Sequence, residues 1–157
     1  MNTQLVNNKS IWILEDDKNC QFVYEQVLNF RYKTVYFDSI ATFIEALQNN
    51  RENLPSLVVA DLVLPDGNFL NFLTEGKEQE LLTIPFIIFS SIDDIDALRF
   101  CFNEGALDYL TKPFRRNEIL VKIENILSGR STRTVISGDS KDVTLDGVKI
   151  TGLTSKQ

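Results

Sequence analysis

Residues 57–67 read Leu57-Val58-Val59-Ala60-Asp61-Leu62-Val63-Leu64-Pro65-Asp66-Gly67. Four apolar residues run without a polar break, an acid follows, and a Pro-Asp-Gly turn signal comes shortly after. An apolar run this short and continuous predicts a strand covered on both faces, as in a parallel sheet. The acid then stands just past the carboxyl end of that strand. Open α/β sheets bind their ligands there.

The same pattern recurs on both sides of this stretch. Short β-rich runs at 11–14, 34–37, 86–89 and 108–111, most of them near-continuously apolar, alternate with longer stretches at 19–30, 40–49, 69–75, 95–104 and 117–127. In the last of these, Ile119, Ile123, Ile126 and Leu127 fall on one helical stripe. Leu54-Pro55, Pro65-Asp66-Gly67 and Gly105 supply breaks at the joints. Alternating strands and helices predict a doubly wound α/β fold. Its five parallel strands are joined by right-handed crossovers, in the order 2-1-3-4-5.

Composition narrows the class of function. The 157 residues are 43% hydrophobic, enough for a packed core, and carry a net charge of −6, which argues against a basic nucleic-acid-binding surface. Histidine is absent, which excludes His-dependent triads, His-ligated metals and a phosphohistidine within these residues. The two cysteines, Cys20 and Cys101, read as reduced, buried helix thiols. Residues 1–10 lack the apolar run of a signal peptide, and no apolar stretch reaches spanning length. The expectation is a cytoplasmic chain without a membrane segment.

Polar residues collect past the strand ends. Glu15, Asp16 and Asp17 follow the first strand, Asp61 the third, Ser90 and Ser91 the fourth, and Lys112 the fifth. In the order 2-1-3-4-5 the first and third strands are neighbours, which brings Asp16 beside Asp61. Two close carboxylates repel unless a cation neutralises them. Oxygen donors without His or Cys suit Mg²⁺, which tends to bind a phosphate as well. A carboxylate can attack a phosphoryl group and form an aspartyl phosphate. Lys112 would then offer positive charge, and Ser90 a hydroxyl, to the phosphoryl oxygens. Taken singly, each residue reads as a loop, cap or turn. Their coincidence at one sheet edge is what carries the functional reading.

The motifs Ile13-Leu14-Glu15-Asp16-Asp17, Asp61 through Gly67, Ser90, and Gly105 through Phe114 resemble the receiver domain of two-component response regulators, over roughly residues 9 to 128. The resemblance implies a flavodoxin-like receiver fold with Asp61 as phosphoacceptor. It implies Mg²⁺ held by Asp16, Asp61 and the backbone carbonyl of Val63, with Glu15 acting through a water. It gives Lys112 a phosphoryl contact and a cis bond to Pro113, and makes Ser90 and Tyr109 a switch pair in which the tyrosine ring turns inward. It also implies a phosphodonor, a sensor histidine kinase or phosphotransfer protein. Such a chain is not an enzyme beyond its own phosphorylation and dephosphorylation. Dimerisation on phosphorylation is expected through the fourth helix, fifth strand and fifth helix, where Glu104, Asp108, Glu118 and Lys122 could pair and Leu98 replaces a usual lysine.

Beyond the receiver, residues 129–142 are rich in Ser, Gly, Thr and charge and read as a linker. Residues 143–157 read as a hairpin turning at Asp146-Gly147, then a helix start capped by Thr154. Too small for a core, this segment reads as the start of a truncated effector domain. It resembles the opening of a winged-helix DNA-binding effector, which would make the output transcriptional and DNA a partner only through the missing part. The alternative is a stand-alone phosphorylation-dependent interaction switch. Three rivals fit less well. An aspartate-nucleophile phosphatase of the haloacid-dehalogenase type needs an acid where Val63 stands. A degenerate receiver would not keep Glu15, Asp16, Asp61, Ser90 and Lys112. A flavin carrier would not place Glu15-Asp16-Asp17 at its phosphate loop.

Overall fold

The computed structural model describes residues 9–75, 83–129, 143–145 and 148–150. Five parallel strands form the central sheet: β1 Ser10–Leu14, β2 Lys33–Phe37, β3 Leu57–Ala60, β4 Phe86–Ser90 and β5 Asp108–Thr111, in the order β2-β1-β3-β4-β5. Helices α1 Lys18–Leu28, α2 Ile40–Asn49, α3 Phe69–Glu75 and α4 Ile95–Asn103 fill the crossovers, and α5 Arg116–Leu127 follows β5. This is the doubly wound α/β fold predicted above.

Strand residues point alternately to the two faces, and the core divides accordingly. Trp12, Leu14, Val58, Ala60, Phe86 and Ile88 pack with Phe43, Leu47, Phe69 and Phe102 from α2, α3 and α4. Ile11, Ile13, Leu57, Val59, Ile87 and Phe89 pack with Tyr24, Leu28, Ile119 and Ile123 from α1 and α5. Every residue of β3 is buried, as its unbroken apolar run requires.

Element ends differ from expectation where capping decides them. The helical pattern at 19–30 suggested that α1 reaches Phe30. The helix instead stops at Leu28, whose carbonyl accepts the N–H groups of Arg31 and Tyr32, and Phe30 is left 75% exposed. α4 ends at Asn103, where Gly105, with φ +113, turns the chain toward β5. Only a residue without a Cβ adopts that angle readily. Cys101 is buried as predicted, whereas Cys20 is only partly so.

Val143–Leu145 and Val148–Ile150 pair antiparallel, Val143 opposite Ile150, as the hairpin signal predicts. The linker and the helix start at Thr154 fall outside the described residues. Among the described residues no helix is long and apolar enough to cross a membrane.

Candidate functional site

The carboxyl edge of the sheet draws the polar residues together because the ladder continues one step past several strand ends. The Glu15 N–H donates to the Phe37 carbonyl, the Asp61 N–H to Leu14 and the Lys112 N–H to Ser90. Asp61 is thereby fixed beside the acidic turn after β1. Donor oxygens of Glu15, Asp16 and Asp61 lie within 4.8 Å of one another. Three carboxylates and no nitrogen or sulfur ligand form a donor set for a hard divalent cation, and such a set fits Mg²⁺.

Lys112 crosses this group from β5. Its Nζ lies 2.6 Å from Glu15 Oε1 and 2.9 Å from Asp61 Oδ2. Burial alone would lower the lysine, but hydrogen bonds to both carboxylates outweigh it and hold the ammonium well above the usual lysine range. Glu15 is 1% exposed, and burial pushes its carboxyl up while Lys112 pulls the other way. Its second oxygen accepts the Asp17 N–H. The peptide bond from Lys112 to Pro113 is cis, as the resemblance implies.

The Asp61 carboxylate is held from its own loop as well. Its Oδ1 accepts the Leu62 N–H at 2.6 Å and, more loosely, the Val63 N–H at 3.4 Å. Val63 pairs with Asn68 in a two-residue ribbon, Val63–Leu64 against Gly67–Asn68. The Val63 side chain points out, 54% exposed, at the rim of the site.

Ser90 is fully buried, and its Oγ accepts the Ile92 N–H at 3.2 Å. Tyr109 is 7% exposed, and its hydroxyl donates to the Ile92 carbonyl. Burial pushes the phenol up to about 12, with the Ser90 hydroxyl pulling down. Ser90, Ile92 and Tyr109 thus form one hydrogen-bonded unit across β4 and β5.

Three further residues brace the loops of the site, and two of them escape sequence reasoning. Asp17 is the N-cap of α1, accepting from the Asn19 and Cys20 N–H groups. Gln21 donates to the Glu15 carbonyl at 2.6 Å and to Asp38 at 3.0 Å, bracing the acidic turn. Asp66 reaches the first turn of α2, accepting the Ile40 and Ala41 N–H groups at 2.9 and 3.0 Å. Asp17 carries the usual cap signal of an acid before a helix. Nothing in the spacing marks the other two. One correction concerns the charges expected to pair between copies. Asp108 and Lys122 pair within the chain at 3.0 Å, with little of either side chain exposed.

The family model for the response regulator receiver domain matches residues 11–124. The DNA-binding transcriptional regulator NtrC of Proteus hauseri is 30% identical over 120 residues, 76% of this chain and 24% of that protein. The transcriptional regulatory protein KdpE of Mycobacterium tuberculosis is 29% identical over 143 residues, 88% of this chain and 62% of that protein. Among solved structures, the non-phosphorylated HemR receiver domain from Leptospira biflexa aligns with a TM-score of 0.64 at 28% identity, covering 76% of this chain and 94% of that one. The chain spans about a quarter of the length of the NtrC relative, at 24%.

Proposed function

We propose, from the premise that this chain belongs to the response regulator receiver domain family, that Asp61 accepts a phosphoryl group in a Mg²⁺-dependent step. The observation that carries this reading is the Lys112 ammonium set between Glu15 and Asp61, with Asp16 alongside. Asp16, Asp61 and the Val63 carbonyl are the residues to hold Mg²⁺, which when bound supplies charge neutralisation of the entering phosphate. Both Glu15 oxygens already accept hydrogen bonds, from Lys112 and from the Asp17 N–H. That suits a role at one remove.

The chemistry asked of the chain is modest. An Asp61 carboxylate oxygen forms a bond to phosphorus as the bond from phosphorus to the donor breaks, and its electron pair leaves with the donor. Lys112 transfers a hydrogen bond from Asp61 to a phosphoryl oxygen. The Ser90 hydroxyl turns toward the same group and releases its bond to the Ile92 N–H. That change passes through Ile92 to Tyr109 and to the face formed by α4, β5 and α5. With no histidine in the chain, the donor is a sensor histidine kinase, a phosphotransfer protein or a small phosphodonor. We take the chain to act in the cytoplasm, to catalyse nothing beyond its own phosphorylation and dephosphorylation, and to control a transcriptional output. A stand-alone interaction switch is the second reading.

Incubation with Mg²⁺ and acetyl phosphate should add the mass of one phosphoryl group, and Asp61→Asn should not gain it. Undiminished labelling of Asp61→Asn would sink the assignment.

A further inference from the structure

The turn between β2 and α2 holds no member of the acidic cluster, yet both loops of the site are tied to it. From the β1 side, Asp38 takes Lys18 at 3.4 Å and Gln21 at 3.0 Å, and Gln21 in turn grips the Glu15 carbonyl. From the β3 side, Asp66 spans two consecutive N–H groups in the first turn of α2. Side-chain reach is what makes the second tie notable, since Asp66 and Ile40 are 26 residues apart in sequence.

Asp66 stands at the tip of the ribbon Val63–Leu64 and Gly67–Asn68. The ribbon's base is fixed by the Phe69 N–H donating to the Leu62 carbonyl at 2.8 Å. The Leu62 and Val63 N–H groups that hold Asp61 Oδ1 flank that base, one on each side of the Leu62 carbonyl. A two-residue ribbon has almost no stability of its own. Whatever fixes its tip therefore fixes the backbone that aims Asp61 and presents the Val63 carbonyl. Two charge-assisted hydrogen bonds to a helix N-terminus are strong enough to do so. Asp66 is exposed, so burial of its own side chain does not explain its geometry.

We infer that Asp66 is a positioning residue for the phosphoacceptor site, setting the loop of Asp61 and Val63 by anchoring it to the first turn of α2. The inference rests on the Mg²⁺ reading given above. Outer partners of metal ligands contribute about tenfold or more to metal affinity, and an anchor one step further out belongs at the low end of that range.

The test measures Mg²⁺ binding to the intact chain by calorimetry or NMR titration. It also records amide hydrogen exchange at Ile40 and Ala41 without added metal. Asp66→Ala should weaken Mg²⁺ binding by about tenfold and speed exchange at both amides. Asp66→Asn keeps one acceptor oxygen but no charge, so it should fall between wild type and Asp66→Ala in both readouts. Equal losses in Asp66→Asn and Asp66→Ala would mean that only long-range charge is felt, which overturns positioning. Unchanged Mg²⁺ affinity in Asp66→Ala beside faster amide exchange would leave a plain helix cap and also overturn it. A wild-type chain that binds no Mg²⁺ would overturn the metal reading itself, and this inference with it.

Discussion

At the scale of the residue, the rim of the site bears on how long a phosphoryl group would stay. Val63 and Ile92 stand two residues after Asp61 and Ser90. Neither side chain can hydrogen-bond a water for attack on an aspartyl phosphate, and Val63 is exposed. Combining Val63→Asn with Ile92→Glu should speed loss of the phosphoryl group by about tenfold, or about 1.4 kcal/mol of barrier. The decay of labelled protein after donor removal, at fixed Mg²⁺, gives the rate, and decay at the wild-type rate would rule out gating by this pair. Asp66 offers a second check. Hydrogen bonds from Ile40 and Ala41 hold its carboxyl below the usual aspartate value of 3.8. A group whose folded pKa is depressed stabilises the fold above its unfolded pKa, and that contribution disappears as pH falls through the folded one. A carboxyl NMR titration should therefore find the Asp66 midpoint below 3.8, and a midpoint at or above it would refute the two-amide anchor.

At the scale of the element, the sequence is most legible where burial alone decides. β3 matches its apolar run at both ends, because a strand covered on both faces excludes polar residues. Helix ends are less legible. The stop of α1 at Leu28 depends on two N–H groups folding back on one carbonyl, which hydrophobic period does not encode. The acids after β1 and β3, with Ser90 and Lys112, were readable because strand order alone brings them together. Gln21, Asp38 and Asp66 were not, since their roles are contacts between side chains and distant turns. Within α2, Phe43 is the buried residue on which the layer depends. Its ring meets Trp12, Phe37, Phe69 and Phe72 at centroid distances of 5.7 to 6.3 Å. Phe43→Ala should cost about 4 kcal/mol, read from the shift in a urea unfolding midpoint. A loss under about 1 kcal/mol would mean that the neighbouring rings collapse into the space.

At the scale of the whole molecule, the question is what the α4, β5 and α5 face does with a phosphoryl signal. With Asp108 and Lys122 satisfied internally, the charges named for that face reduce to Glu104 and Glu118, two acids. Exposed Ile95 on α4 and Val121 on α5 offer apolar contact instead. If a homodimer forms on activation, it should be held by these residues and withstand salt. Sedimentation with and without beryllofluoride would show a doubled mass that persists at high ionic strength. An unchanged mass removes dimerisation as the switch.

The order of the strands also sets a timetable for the nascent chain. β1 lies between β2 and β3, so three strands can assemble once about sixty residues have left the ribosome, before β4 and β5 exist. That early sheet already gathers Glu15, Asp16 and Asp61 at one edge. Lys112, whose ammonium meets two of them, follows Asp61 by 51 residues and Glu15 by 97. Until it arrives the half-made sheet carries three crowded negative charges, and mutual repulsion discourages it from closing. The fifth strand of the sheet delivers an ammonium to two of these carboxylates, so closing of the N-terminal half is favoured once the C-terminal half can dock.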